Sequence, residues 1–296
     1  MVTSRTQSDR RALLSGASLC VLGCAANAPL SQRPGPETGA RFAELERSVG
    51  GRLGVAAVDT GSARHVEYRA GERFPMCSTF KLPLVAAVLK RVDAGEESLG
   101  RRIAYQEAAL LEYAPVTREH VSEGGMSVDA LCEASITLSD NTAANLLLET
   151  LDGPSGLTAF FRTIGDSTSR LDRNEPMLNT ANPGDERDTT TPGAMLGVMQ
   201  ELLLGNVLGT ASRERLLGWL IATKTGLKRL RAGLPAEYRA GDKTGTGNNG
   251  ATNDLAIAWP PSKPPILIAA YSWGSTASTE RLSDVLAQAA RLVLHA

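Results

Sequence analysis

Ser78-Thr79-Phe80-Lys81 places a hydroxyl and an ammonium three residues apart. If a helix begins near Ser78, the two share a face and are neighbours. The helix N-terminus adds backbone N–H donors and a positive partial charge, which favour an alkoxide or oxyanion there. Lys81 can then serve as the base that a serine nucleophile otherwise takes from histidine. Pro83 falls inside such a helix and predicts a slight kink. S-x-x-K alone recurs on helix surfaces, but three further segments give it context. Ser139-Asp140-Asn141 enters a helical segment and by itself reads as an N-cap. Lys243-Thr244-Gly245-Thr246-Gly247 lies on a predicted strand, where the glycines let a ligand approach closely and Lys and Thr supply donors. An edge strand blunted by Lys is its plainer reading. Arg173-Asn174-Glu175-Pro176-Met177-Leu178-Asn179 opens a polar loop that ends at Asp185-Glu186-Arg187-Asp188. Loops this long inside compact domains are either functional or disordered. Arg173 and Asp188 can close it by an ion pair, leaving Glu175 and Asn179 to hold a water between a carboxylate and an amide.

S-x-x-K, S-D-N and K-T-G in this order are the signature set of class A β-lactamases and penicillin-binding proteins. The Glu175-Pro176-Met177-Leu178-Asn179 segment between S-D-N and K-T-G resembles the class A enzymes in particular. The resemblance runs from about residue 40 to the C-terminus and includes Tyr113-Ala114-Pro115-Val116-Thr117 and the stretch from Asp185 to Pro192. On these motifs the chain is identified as a member of the class A serine β-lactamases. That resemblance implies that Ser78 opens the lactam ring and forms an acyl-enzyme, with the N–H groups of Ser78 and Thr246 as oxyanion hole. Lys81 and Glu175, the latter through a water, are both candidates for the acylation base. Ser139 is then the proton relay to the lactam nitrogen, Asn141 the holder of the substrate's side-chain amide, and Tyr113 a wall of the cleft. Lys243, Thr244, Gly245 and Thr246 line the carboxylate site, and Asn179 helps to place the water. No cofactor or metal is implied, and the partners are β-lactam antibiotics.

Two positions depart from better-known relatives. Many carry an Arg on the strand after K-T-G where this chain has Thr252, and Arg229 in Lys228-Arg229-Leu230-Arg231 takes its place in this reading. Some carbapenem-hydrolysing members bridge the Cys before the nucleophile to a Cys just after K-T-G. This chain has Cys77 but Gly247 at the partner position, so that bridge is absent and carbapenem hydrolysis does not follow from it. The nearest rival is a D-alanyl-D-alanine peptidase, which shares three motifs but lacks a carboxylate for the hydrolytic water. Glu175 with Asn179 argues against it. The full set of charged catalytic positions argues against a β-lactam-sensing receptor domain. A serine esterase is disfavoured because no G-x-S-x-G elbow is present.

The elements that must position these groups can be read from periodicity. Phe42, Leu45 and Val49 predict a helix over residues 39–49, and strands follow at 52–59 and 64–69. Helices are predicted near 78–92, 127–136, 140–151, 155–164, 191–204 and 212–223. Strands return at 238–246, 252–259 and 265–273, and a final helix carries Leu282, Val285, Leu286, Ala289, Leu292 and Val293. Strands and helices segregate, which predicts an α+β fold. An antiparallel sheet of about five strands is covered by the N- and C-terminal helices. An all-helical subdomain is inserted between the second and third strands, with the active site between sheet and helices. The expected bounds are 39–75 and 225–296 for the sheet part and 76–224 for the helical part.

Of 296 residues, 42% are apolar and 21% charged, enough to bury a large core. The net charge of -1 provides no basic field for nucleic acid. Three scattered histidines (His65, His120, His295) rule out most His-based metal sites and leave little for a Ser-His-Asp triad. No apolar run is long enough to span a membrane. Residues 1–24 read as an export leader: Arg10-Arg11 precedes an apolar stretch from Ala12 to Leu22, in twin-arginine or ordinary secretory style. Val21-Leu22-Gly23-Cys24 resembles a lipobox, with lipidation at Cys24 as the sole membrane attachment, and cleavage after Ala28 is the alternative. Residues 25–38 are read as a flexible tether. The expected product is an exported monomer, secreted or in the cell envelope, that needs no protein partner. Cys77 and Cys132 are expected as buried free thiols.

Overall fold

The computed structural model describes residues 36–296. The export leader, Cys24 and most of the tether lie outside these residues. The first helix, α1, spans Pro36–Val49 and so takes in the last three residues assigned to the tether. Proline suits a first helical position, where its missing N–H has no partner to lose.

The sheet forms from β1 (Arg52–Asp59), β2 (Arg64–Tyr68), β7 (Arg239–Thr246), β8 (Thr252–Trp259) and β9 (Ile266–Trp273). Its order is β2-β1-β9-β8-β7, antiparallel throughout. Both faces are buried, so β1, β9 and β8 from Leu255 onward are apolar on alternate and intervening positions alike, while the start of β8 buries Thr252, Asn253 and Asp254. Leu53, Val55, Ala57, Ile268 and Ala270 pack with Phe42 of α1 and with Val285, Leu286 and Val293 of α8 (Thr279–His295). Ala56, Val58, Leu255, Ile257 and Leu267 face the other core, shared with the helical part. Two hydrophobic layers therefore flank one sheet, and the sheet cannot slip by one residue without exchanging them.

Between β2 and β7 lie α2 (Lys81–Asp93), α3 (Val128–Thr137), α4 (Asn141–Glu149), α5 (Gly153–Thr163), α6 (Pro192–Leu203) and α7 (Thr210–Ala222). Two short ribbons accompany them: β3 (Phe74–Pro75) with β6 (Thr189–Thr190), and β4 (Arg102–Ala104) with β5 (Gly125–Ser127). Strands of two or three residues are too short to show alternation, which is why periodicity misses them. The expected helix start at Ser78 is also corrected. Cys77–Phe80 forms a 3₁₀ turn, and α-helical geometry begins at Lys81. Pro83 therefore sits in the first turn of α2, where its N–H is not needed, and the reason to expect a kink disappears. No described helix is long and apolar enough to cross a membrane.

Asp140 stitches the helical part to the edge of the cleft. It is fully buried and caps α4 through Ala143 N at 2.9 Å. Its other oxygen accepts from Val116 N and Thr117 N, both at 2.9 Å, and Thr117 Oγ1 donates to both oxygens. Asp140→Ala removes a cap and strands two buried N–H groups, so it should lower unfolding free energy by about 3 kcal/mol in a denaturant titration. A loss below about 1 kcal/mol would mean that water replaces the carboxylate and that this stitch is dispensable.

Candidate active site

Ser78 and Lys81 stand on successive turns where the 3₁₀ segment becomes α2. Lys81 Nζ lies 3.0 Å from Ser78 Oγ, 2.9 Å from Glu175 Oε1 and 2.9 Å from the Ser139 carbonyl. It also lies 2.6 Å from Asn141 Oδ1 and 3.3 Å from Ser139 Oγ. Five oxygens thus surround a group with at most three protons, which leaves the amine able to exchange partners. Burial pushes the Lys81 ammonium below its usual pKa range, and the Glu175 carboxylate pulls it back up. Ser78 Oγ donates to Glu175 Oε1 at 3.1 Å, so the hydroxyl touches both candidate bases.

Ser139 is shared between two lysines. Lys243 Nζ donates to its Oγ at 3.0 Å and to the Thr244 carbonyl at 3.0 Å. Burial, and then the charge of Lys81, hold Lys243 well below the usual lysine range. Ser139 itself has φ +59°, a left-handed conformation that costs about 1–3 kcal/mol in a residue with a side chain. Cys77 at φ +46° is held in the same region. Strain on both sides of the Ser78–Lys81 contact is a feature of sites whose surroundings dictate the backbone.

Glu175 comes from the loop and is placed by its backbone. Asn145, one turn beyond Asn141 on α4, accepts from Glu175 N at 3.0 Å and donates to Glu175 O at 2.9 Å. Asn179 Nδ2 donates directly to Glu175 Oε2, so amide and carboxylate are in contact rather than apart. Asn179 Oδ1 is buried without a protein partner. The loop base is closed by Arg173 Nε on Asp188 Oδ2 at 2.6 Å, and Asp188 Oδ1 accepts from the N–H groups of Asp172 and Arg173.

The remaining candidates line a cleft of about 340 Å³ with Ser78, Ser139, Asn141 and Asn179. Half-exposed Tyr113 forms one wall, its hydroxyl on the Leu138 carbonyl at 3.2 Å. The opposite wall carries Thr225, Thr244, Thr246 and Arg229. Thr244 and Thr225 share a hydrogen bond at 2.7 Å. Arg229 is buried, with Nη1 on the carbonyls of Gly245 and Asn253 at 2.9 and 2.7 Å and Nη2 on Thr246 Oγ1 at 2.7 Å. Thr246 pairs across the strands with Thr252, so Arg229 brings its charge beside that threonine from a turn before β7. Gly245 lies against the Ser78 turn, where a Cβ would stand 2.7 Å from the Met76 carbonyl. The Cys77 and Cys132 thiols are free and buried, and a Cβ at Gly247 would stand 2.6 Å from Cys77 Sγ.

Thr225 and Asn145 escaped the sequence reading. Asn145 had a signal, since Asn141 and Asn145 are four residues apart and share a helix face. Thr225 lies in an irregular connection and had none.

The chain matches known proteins over the whole domain. Residues 38–296 match the model of the β-lactamase enzyme family. The chain belongs to that family. It is a class A serine β-lactamase, 48% identical to β-lactamase AST-1 of Nocardia asteroides over 98% of this chain and 96% of the relative. β-Lactamase CTX-M-25 of Escherichia coli is 46% identical, over 97% and 98% of the two chains. Among solved structures, the ancestral class A β-lactamase of Gram-negative bacteria superposes with a TM-score of 0.85 at 58% identity, covering 87% of this chain and 99% of the other. A putative class A enzyme from Rhodopseudomonas palustris gives 0.85 at 48% identity, over 88% and 99%.

In this β-lactamase the Arg173–Asp188 pair is the fastening of the loop, with Asp188 fully buried. Asp188→Asn keeps the shape but removes the charge, which should cost about 1–3 kcal/mol. Limited proteolysis should then cut within residues 173–188 faster than in the parent. Equal cleavage rates and an unchanged melting temperature would show that the backbone bonds alone hold the loop.

Proposed function

We propose that the enzyme hydrolyses the β-lactam amide of penicillins and cephalosporins through an acyl-enzyme on Ser78, and thereby gives resistance to them. The observation that carries this reading is the contact of Ser78 Oγ with both Lys81 Nζ and Glu175 Oε1 at the floor of the cleft. Attack of Oγ on the lactam carbonyl releases one proton, to Lys81 directly or to Glu175 through a water. The oxyanion is received by the N–H groups of Ser78 and Thr246, each worth about 10²–10³ in rate. As the C–N bond breaks, Ser139 gives its proton to the nitrogen and recovers one from Lys81, whose Nζ is 3.3 Å away. Glu175, as the carboxylate, then takes a proton from a water held against it and against Asn179 Oδ1. The attacking oxygen displaces Ser78 Oγ, a proton returns to Oγ from Glu175 directly or by way of Lys81, and the penicilloate leaves with the free enzyme restored. Asn141 Oδ1 is engaged by Lys81, so its Nδ2 is the group that binds the substrate's side-chain carbonyl.

The substrate carboxylate meets Lys243, Thr244 and Thr246. Because Thr246 Oγ1 accepts from Arg229, its own proton is free to point at the carboxylate. Arg229 therefore acts partly through Thr246, with its unused N–H groups completing the fork. Export fits a target outside the cytoplasm, and the leader over residues 1–24 with Cys24 supports it.

Glu175→Ala should leave penicillin bound to the protein for at least about 10²-fold longer, with the adduct on Ser78 by mass spectrometry. Turnover at the parent rate would remove Glu175 from the mechanism, and an adduct on any other residue would displace Ser78. Arg229→Ala should lower kcat/KM about 10–100-fold, the value of a charge-assisted hydrogen bond. Adding Thr252→Arg should recover part of that loss. Kinetics unchanged by Arg229→Ala at low and high salt would show that the carboxylate is held without it.

A further inference from the structure

One cross-strand row of the sheet is built as a seat for the segment that ends in Ser78. The register pairs Gly245 on β7 with Asn253 on β8, Asn253 with Tyr271 on β9, and Tyr271 with Gly54 on β1. Residues 74–79 lie along this row. The Phe74 ring covers Gly54, where a Cβ would stand 2.5 Å from it. The Tyr271 hydroxyl lies 3.3 Å from Thr79 Oγ1. Asn253 Nδ2 donates to the Pro75 carbonyl at 2.9 Å and to the Met76 carbonyl at 3.1 Å. Gly245 leaves room for that same Met76 carbonyl.

The segment needs such a seat. Cys77 keeps its left-handed backbone only where its surroundings impose it. From the opposite side Met76 N donates to the Asp188 carbonyl at 2.9 Å, tying the turn to the loop base. Asn253 is wholly buried, and both bonds of its amide nitrogen go to this turn. Its backbone carbonyl accepts from Arg229 Nη1 at 2.7 Å. A single residue therefore joins the nucleophile turn to the cation of the carboxylate site.

We propose that Asn253 is a positioning residue for β-lactam hydrolysis, whose side-chain amide fixes the Ser78 turn against the end of β7 and so sets the spacing of the two N–H groups that receive the oxyanion. It touches no reacting atom. The inference rests on the acyl-enzyme reading given above. Its physical basis is that oxyanion donors act only at hydrogen-bond distance from the tetrahedral oxygen, and a drift of about 1 Å forfeits most of their effect. Without the amide, the Pro75 carbonyl is left buried and unpaired, and the turn is free to move toward other donors.

The test compares Asn253→Ala and Asn253→Asp with the parent in single-turnover acylation by a penicillin. It also measures affinity for phenylboronic acid, which forms a tetrahedral adduct on a nucleophilic serine. In Asn253→Ala the acylation rate constant should fall at least about tenfold and boronate affinity by a similar factor. The dissociation constant of the non-covalent penicillin complex should stay within about twofold. In Asn253→Asp the deficit relative to the parent should shrink as pH falls from about 8 to about 6, because only the protonated carboxyl can donate to the Pro75 or Met76 carbonyl. If the Ala variant does not fold, Asn253→Val, which removes the donor but keeps a strand-forming shape, carries the same measurements. Acylation within about twofold of the parent in the folded variant that lacks the donor, Ala or Val, overturns the proposal. So does a loss that lies wholly in the dissociation constant. Failure of the parent itself to form an adduct on Ser78 overturns the acyl-enzyme reading instead.

Discussion

The Lys81–Glu175 contact is the constraint around which the site is arranged. Both side chains are fully buried, with Nζ and Oε1 2.9 Å apart. Charges removed from water are tolerated only with excellent geometry and with their remaining hydrogen-bonding capacity met. That requirement recruits the neighbours: Ser78, Ser139 and Asn141 around the amine, Asn179 around the carboxylate. It also demands that Glu175 be delivered from the loop at fixed depth, which Asn145 and the Arg173–Asp188 closure do. A second buried lysine, Lys243, raises the electrostatic stakes, and sharing Ser139 is how the two cations avoid direct contact. Low dielectric makes each of these contacts stronger than it would be in water, and each omission more costly.

Much of this was legible in the sequence because the chemistry is local. Ser78 and Lys81 are three residues apart, Lys243 to Thr246 are contiguous on one strand, and Glu175 and Asn179 span one turn of the loop. Spacing alone brings such groups together whatever the rest of the fold does. The segregated strands and helices made the α+β architecture legible for a similar reason, since β1, β8 and β9 stand out as short apolar runs bounded by turn residues and α8 carries a 3.6-residue stripe. What was illegible is what depends on register or on irregular chain. Asn253 reads as one polar residue in a strand until pairing sets it between Gly245 and Tyr271. Thr225 and the β3–β6 ribbon have no periodicity to reveal them. The helix start at Ser78 was misplaced because a 3₁₀ turn and the first turn of an α-helix have the same apolar spacing over four residues.

Asp140 shows how both interpretations of a motif can hold at once. S-D-N reads as an N-cap or as a catalytic signature. The structure makes Asp140 the cap and sends Ser139 and Asn141, on either side, into the cleft. The cap is what fixes the direction of its two neighbours, and its second oxygen holds the chain that carries Tyr113. A structural residue between two chemical ones is therefore an economy of sequence rather than a coincidence.

The pairing of β1 with β9 has a kinetic meaning. Val55 meets Ala270, so the strand made near the beginning of the domain closes only on one made near its end. Tyr271 on β9 belongs to the seat of the Ser78 turn, and β9 separates β1 from β8. A chain still lacking β9 can form its helices from nearby contacts, yet it has no continuous surface on which Ser78 can be set. Long-range pairings of this kind slow folding, because loop-closure entropy is spent before the contact rewards it. Recovery of activity during refolding should thus trail recovery of helix content, and partly folded chains will be catalytically silent rather than weakly active.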